Sequence, residues 1–138
     1  MSSQAKNILI TGCSSGIGHT VALGLEARGY RVFATCRKQE DVDKLSALGL
    51  NALRLDLNDT ASIGAAVTQV LQATDNKLYA LFNNGAYGQP GALEDLTTET
   101  LREQFETNFF GWHELTRQVL PVMRANGVGR IIQNSSLL

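Results

Sequence analysis

The stretch Thr11-Gly12-Cys13-Ser14-Ser15-Gly16-Ile17-Gly18 decides how the rest of the chain folds. It follows a short, nearly continuous apolar run, Asn7 to Thr11 (NILIT), and leads into Ile17 to Arg28. There Val21, Leu23 and Leu25 stand among small residues, and Gly29 follows. A strand buried on both faces needs the first pattern, and a helix stopped by glycine gives the second. The glycines between them have separate mechanical tasks. Gly12 lets the chain turn sharply off the strand, Gly16 removes a side chain where backbone must approach an anion, and Gly18 lets the helix pack closely on the sheet. The helix start offers unpaired N–H groups and the positive end of its dipole, which suits a diphosphate. A strand, a glycine turn and a helix in this order point to nucleotide binding.

Working outward, Arg31 to Thr35 (RVFAT) predicts a second strand. Glu40 to Leu48, with Val42, Leu45 and Leu48 at helical spacing before Gly49, predicts a second helix. Asn51 to Leu55 (NALRL) is a third strand, less apolar, as suits a sheet edge. Asn58 or Asp59 can cap a helix running through Ile63, Val67, Val70 and Leu71. Leu78 to Phe82 (LYALF) is a fourth strand, followed by a loop rich in Gly and Asn from Asn83 to Gly91. Thr98 to Ala125 or thereabouts reads as one long helix, capped by Thr97 or Thr98, with Pro121 placed to kink or shorten its far end. Arg130 to Asn134 (RIIQN) is a fifth strand. No internal repeat or low-complexity tract interrupts the series. Alternating β and α elements with short connections predict an α/β fold, a doubly wound parallel sheet with helices on both faces. Right-handed crossovers leave the strand order 3-2-1-4-5 as the expected one.

A length of 138 residues suits a single domain spanning 1–138, and 43% hydrophobic with 18% charged residues is the balance of a globular chain with a core. The net charge of −1 and the absence of any block of like charge give no footprint for nucleic acid or an anionic membrane. No segment approaches the roughly 20 apolar residues of a membrane span, and the first apolar run is too short for a signal peptide. A cytoplasmic protein is expected. Cys13 and Cys36 form neither a CxxC pair nor a secreted-type framework, and no metal site is expected. Free thiols are the plain expectation; their places near the ends of adjacent strands would also allow a redox pair.

The glycine spacing is GxxxGxG, and here the chain resembles the short-chain dehydrogenase/reductase family, whose classical members carry TGxxxGxG at the coenzyme. Further motifs follow in the family's order. The resemblance implies a Rossmann domain with coenzyme contacts from Gly12, Ser14, Ser15, Gly16, Ile17 and Gly18. Asp56, in LRLDLND, matches the acid that hydrogen-bonds the adenine. Asn83-Asn84-Gly85-Ala86 resembles the family's NNAG with its last two residues reversed, which places Asn84 and Gly85 at the coenzyme ribose. Asn108, in Asn108-Phe109-Phe110-Gly111, falls where the family has its catalytic Asn. Ser136, in Ser135-Ser136, corresponds to the catalytic Ser. The TGCSSGIG and ATCRK segments are closest to the hydroxysteroid and retinol dehydrogenase-like branch.

In NAD-using Rossmann domains an acid near the end of the second strand holds the ribose 2′-hydroxyl. Cys36 takes that position here and Arg37 follows it, so a 2′-phosphate is the better partner and NADP(H) is expected over NAD(H). By resemblance the reaction is hydride transfer between nicotinamide and an alcohol or carbonyl substrate. A Tyr of a YxxxK motif downstream of the Ser is its general acid/base, the Ser bonds the reacting oxygen, and the Asn supports a proton-relay water. Tyr30, Tyr79 and Tyr87 all lack a Lys four residues later. The expectation is therefore the coenzyme-binding portion of an NADP(H)-dependent oxidoreductase, truncated before the later strands and inactive alone. The alternative is a non-catalytic NADP-binding sensor module, which would have no chemical need for Asn108 and Ser136. A sheet ending at its fifth strand would leave an open edge and apolar surface, including Phe105, Phe109 and Trp112, so a homo-oligomer is expected.

Overall fold

The computed structural model describes residues 4–137. The five apolar runs form strands β1 (Asn7–Ile10), β2 (Arg31–Cys36), β3 (Asn51–Arg54), β4 (Ala80–Asn83) and β5 (Arg130–Gln133). They pair in parallel throughout, in the order β3-β2-β1-β4-β5 that the alternation predicted. Helices α1 (Gly16–Ala27), α2 (Gln39–Ala47), α3 (Thr60–Ala73), α4 (Thr98–Phe105) and α5 (Gly111–Asn126) connect or flank them.

Alternation along the strands divides the core into two layers. Ile8 and Ile10 face one way, with Val32, Ala34, Ala22 of α1, and Val42 and Leu45 of α2. Leu9 faces the other way, with Phe33, Leu53, Ile63 and Val67 of α3, and Leu115 and Val119 of α5. Each fully buried aliphatic side chain contributes about 1.5–3 kcal/mol relative to exposure, so both faces must be covered. β3 lies at the edge, where only Leu53 of its four residues is buried. Asp59 is the cap of α3, accepting the N–H groups of Ala61 and Ser62, and Thr97 caps α4 by accepting that of Thr100.

The long helix differs from expectation at two places. It is not one uniform α-helix, because a π turn, Glu106–Phe110, separates α4 from α5. Such a turn inserts a residue into the helical ladder and re-aims the side chains on it. Pro121 does not end the helix, which runs through it to Asn126. Of the three aromatics placed on the outer surface, Phe105 and Phe109 are exposed. Trp112 is half-buried against the core, and its indole N–H donates to the carbonyl of Gly85 at 2.7 Å.

Gly111 shows how closely α5 rides on the segment after β3. A Cβ there would lie 2.4 Å from the carbonyl oxygen of Leu57 and 2.8 Å from its Cβ. Backbone has no rotamer with which to yield. Gly111→Ala should therefore lose about 1–3 kcal/mol of stability through overpacking, measured by urea unfolding. An unchanged midpoint would show that α5 can lift off Leu57 freely.

Candidate functional site

The chain order reverses between β1 and β4, and at such a point the loops leaving the two strands part and open a crevice beyond their C-terminal ends. Thr11, the first residue past β1, is buried, and its hydroxyl accepts the N–H groups of Asn84 at 3.0 Å and Gly85 at 2.9 Å. Its own N–H donates to the carbonyl of Phe82 at 3.1 Å. Asn84 returns the connection, with Nδ2 donating to the carbonyls of Thr11 and Gly12, each at 3.2 Å. Asn84 Oδ1 accepts from Nδ2 of Asn134 at 2.8 Å, and the N–H of Asn134 donates to the carbonyl of Asn83 at 3.0 Å. The loops after β1, β4 and β5 are thus tied into one network. Asn83 is fully buried, and its Nδ2 donates to Thr116 Oγ1 at 3.0 Å and Gln133 Oε1 at 2.7 Å, which anchors β4 to α5 and β5.

The glycines shape this edge. Gly12 adopts φ +69° and Gly16 φ +61°, left-handed conformations that side chains disfavour. A Cβ on Gly12 would come within 2.6 Å of Gly85 Cα, so two backbones touch here. On Gly18 it would fall 2.3 Å from the carbonyl oxygen of Gly12 and 2.6 Å from Asn84 Nδ2, which is why α1 can begin directly above the turn. The reversed order Gly85-Ala86 has a physical reason. Gly85 is buried, and a methyl there would press on Leu57 Cδ1 at 3.1 Å and Thr11 Oγ1 at 3.3 Å, whereas Ala86 is exposed.

Beside the turn lies a cleft of about 250 Å³ whose lining includes Gly12, Ser14, Arg37, Asp56, Gly85 and Tyr87. Ser14, Ser15, Gly16 and Ile17 are exposed, and Ser15 precedes α1 without a side-chain capping bond, so the first-turn N–H groups of that helix receive no acceptor from the capping side chain. Arg37 is exposed at the end of β2. Asp56 is half-buried and accepts the N–H of Asn58 at 3.0 Å. Thr107 on the π turn donates its hydroxyl to Asn58 Oδ1, bridging the long helix to the loop after β3.

Asn108 is not a solvated helix residue. Its Oδ1 accepts the N–H of Tyr87 at 3.1 Å, and its Nδ2 donates to the carbonyl of Tyr87 at 2.7 Å. Ser136 is exposed in the segment after β5 and is not among the residues lining the cleft. The structure therefore gathers Gly12, Ser14, Arg37, Asp56 and Gly85 around one space. Gly18 and Asn84 support it from beneath, and Asn108 holds a loop that borders it. Sequence inspection passed over Thr11, Asn134, Thr107 and Trp112 as contributors. A hydroxyl at the close of an apolar strand was the one available signal for Thr11.

Both cysteines are buried free thiols, and the Cys13 Sγ–H donates to the carbonyl of Ile10 at 3.4 Å. Burial pushes Cys13 up to about 12 and Cys36 up to about 11 from an ordinary 9.0. The two thiols are free, as the plain expectation had it, and burial keeps both protonated and unreactive at neutral pH. Among the described residues no group of His, Cys, Asp and Glu could hold a metal ion.

Two outcomes follow. Thr11→Val keeps the shape but strands two buried N–H groups, so urea unfolding should show a loss of about 2–4 kcal/mol, and Thr11→Ser should recover most of it. Equal stability of the Val variant would mean those N–H groups find other acceptors. For the thiols, the folded values lie above the unfolded one. Their contribution is therefore intact below about pH 9 and is lost as pH rises toward the folded values. The urea midpoint should fall across that alkaline range, less so in Cys13→Ala; identical slopes would contradict the assignment.

The family model for short chain dehydrogenases matches residues 6–138. The oxidoreductase YbbO of Escherichia coli K12, itself described as uncharacterized, is 43% identical over 133 residues, 96% of this chain and 49% of that protein. A 3-ketodihydrosphingosine reductase of Bacteroides thetaiotaomicron is 38% identical over 97% of this chain and 48% of its own length. The bovine 17-beta-hydroxysteroid dehydrogenase type 6 is 36% identical over 98% and 44%. Among solved structures, a short-chain dehydrogenase from Streptomyces avermitilis superposes with a TM-score of 0.90 at 39% identity, covering 99% of this chain and 50% of that one. An actinorhodin polyketide ketoreductase variant solved with NADPH gives 0.85 at 31% identity, covering 96% and 53%. The chain spans about half the length of the curated relatives it matches. With the motifs, the sheet order and this similarity in agreement from β1 to the residues after β5, the chain belongs to the short-chain dehydrogenase family.

Proposed function

We propose that the chain is the dinucleotide-binding part of an NADP(H)-dependent oxidoreductase acting on a small or medium apolar alcohol or carbonyl compound. The observation that carries this is the turn from Gly12 to Gly18, where backbone lies against backbone beside a cleft that has Arg37 in its lining. Side chains are missing at the positions where a diphosphate must come close to the chain. That space and its donors fit a dinucleotide.

In this reading the N–H groups at the start of α1, with Ser14, Ser15, Gly16 and Ile17, hold the diphosphate. Asp56 accepts from the adenine amino group. Asn84 and Gly85 present backbone to the nicotinamide-side ribose. Arg37 pairs with the 2′-phosphate, which an acid at the end of β2 would repel. The bound coenzyme supplies the ring that gives or takes hydride, a capacity no side chain has. Ser136 donates a hydrogen bond to the reacting oxygen of the substrate, and Asn108 fixes the Tyr87 loop and supports a relay water. None of Tyr30, Tyr79 and Tyr87 has a Lys four residues later, so these residues bind and orient without moving the proton. A missing general acid/base typically costs about 10²–10⁴ in rate, and the isolated chain is proposed to bind without turnover.

The polyketide ketoreductase solved with NADPH supports the coenzyme choice at 31% identity. Two further parts of the proposal rest on the surface and the thiols. Exposed Leu101, Phe105, Phe109 and Phe110 form an apolar strip on α4 and the π turn, a contact for a second copy of the chain. The unpaired cysteines suit a reducing cytoplasm.

Calorimetric titration tests the central reading. NADPH should bind at least about tenfold more tightly than NADH, and Arg37→Gln should bring the two together. Equal affinities in the unaltered chain would overturn the choice of NADP(H). Absence of binding by both would overturn the site.

A further inference from the structure

We infer that Arg54 is a second determinant of coenzyme choice, a positioning residue that holds the turn after β2 so that Arg37 faces a 2′-phosphate. The inference rests on the proposed NADP(H) reading and extends it to a residue that no motif marks. The sheet register places the two arginines together. Cys36 of β2 is paired with Arg54 of β3, and the N–H of Leu55 donates to the carbonyl of Cys36 at 2.9 Å. Arg54 is thus the cross-strand neighbour of the last β2 residue before Arg37. Its side chain crosses the edge of the sheet, and Nε donates to the backbone carbonyl of Arg37 at 3.0 Å.

That bond occupies one donor of the guanidinium, and among the described residues its two Nη groups have no hydrogen-bond partner. Among the described residues Arg37 likewise makes no side-chain hydrogen bond or ion pair. Acids are present in the first turn of α2, but Asp41 is paired with Lys44 at 3.1 Å, and neither Glu40 nor Asp41 bonds either arginine. The fixed turn spares Arg37 the ordering of its backbone when its guanidinium pairs with a phosphate at the ribose. A coenzyme without the 2′-phosphate gains nothing from that effect.

The test compares 2′,5′-ADP with 5′-ADP by calorimetry on the chain and on Arg54→Met, Arg54→Lys, Arg37→Gln and the Arg37→Gln/Arg54→Met pair. Arg54 is exposed on an edge strand, and far-UV circular dichroism with a thermal melt verifies folding of each variant. Arg54→Met should weaken 2′,5′-ADP by about tenfold while leaving 5′-ADP within about twofold. Arg54→Lys, which keeps the charge and a donor, should recover part of the loss. In the Arg37→Gln background the Met substitution should have an effect below about twofold, since its route through Arg37 is gone. Equal weakening of both nucleotides, no weakening of either, or a full effect without Arg37 would overturn the inference while leaving the NADP(H) reading in place. An unaltered chain that binds 2′,5′-ADP no better than 5′-ADP would overturn that reading, and this inference with it.

Discussion

The hydroxyl of Thr11 receives two backbone N–H groups, from Asn84 and Gly85, at the point where the sheet changes direction. A parallel sheet delivers its irregular loops to one edge, and buried loop backbone needs acceptors that no neighbouring strand supplies. Here one buried side chain supplies both. The contact between Gly12 and Gly85, the close start of α1 over Gly18, and the amide of Asn84 reaching the carbonyls of Thr11 and Gly12 all depend on the two loops being locked at this distance. An apolar residue at position 11 would fill the same volume and leave the loops free to part.

The second support comes from the opposite face. Gly111 lets α5 touch the backbone of Leu57, and Trp112 then reaches the carbonyl of Gly85. One turn earlier, the π segment carries Thr107 to Asn58 and Asn108 to the backbone of Tyr87. The two loops that border the cleft, after β3 and after β4, are therefore each held at two points by the π turn and the start of α5. Asn134 adds the end of β5 by bonding Asn84, which places Ser135 and Ser136 directly after a fixed point. The site is built from backbone held at short range, and its charged members, Arg37 and Asp56, come from the ends of the two outermost strands on one side.

Much of this was legible in the sequence. The strands could be read because each is a short apolar run between turn signals, and parallel strands covered on both faces leave few other patterns. Their ends shift by a residue or two. Thr11 leaves β1 because it serves the loops, and Leu78 and Tyr79 precede β4 although the N–H of Tyr79 still bonds the carbonyl of Asn7. The glycine turn could be read because left-handed backbone and close approach both demand that residue. The π turn could not, since Glu106 to Phe110 contains nothing that breaks a helix, and the turn accompanies contacts to Tyr87 and Asn58 far along the chain. Nor could the division of labour between Asn83 and Asn84. Two identical side chains in succession point to opposite faces, one into the anchor with Thr116 and Gln133, the other into the glycine turn. Thr11, Arg54 and Trp112 carry no motif, and their importance arises only from what the fold sets beside them.

The proposed function rests on one physical claim, that the N–H groups from Gly12 to Gly18 hold the diphosphate of a dinucleotide. The most direct measurement is the amide spectrum of the chain labelled with nitrogen-15, recorded as NADPH is added. The account predicts saturable shifts concentrated at Gly12, Ser14, Ser15, Gly16 and Ile17, with further shifts at Arg37 and around Asp56. Shifts confined to other parts of the sheet, or a glycine turn whose amides stay unmoved at saturation, would contradict it.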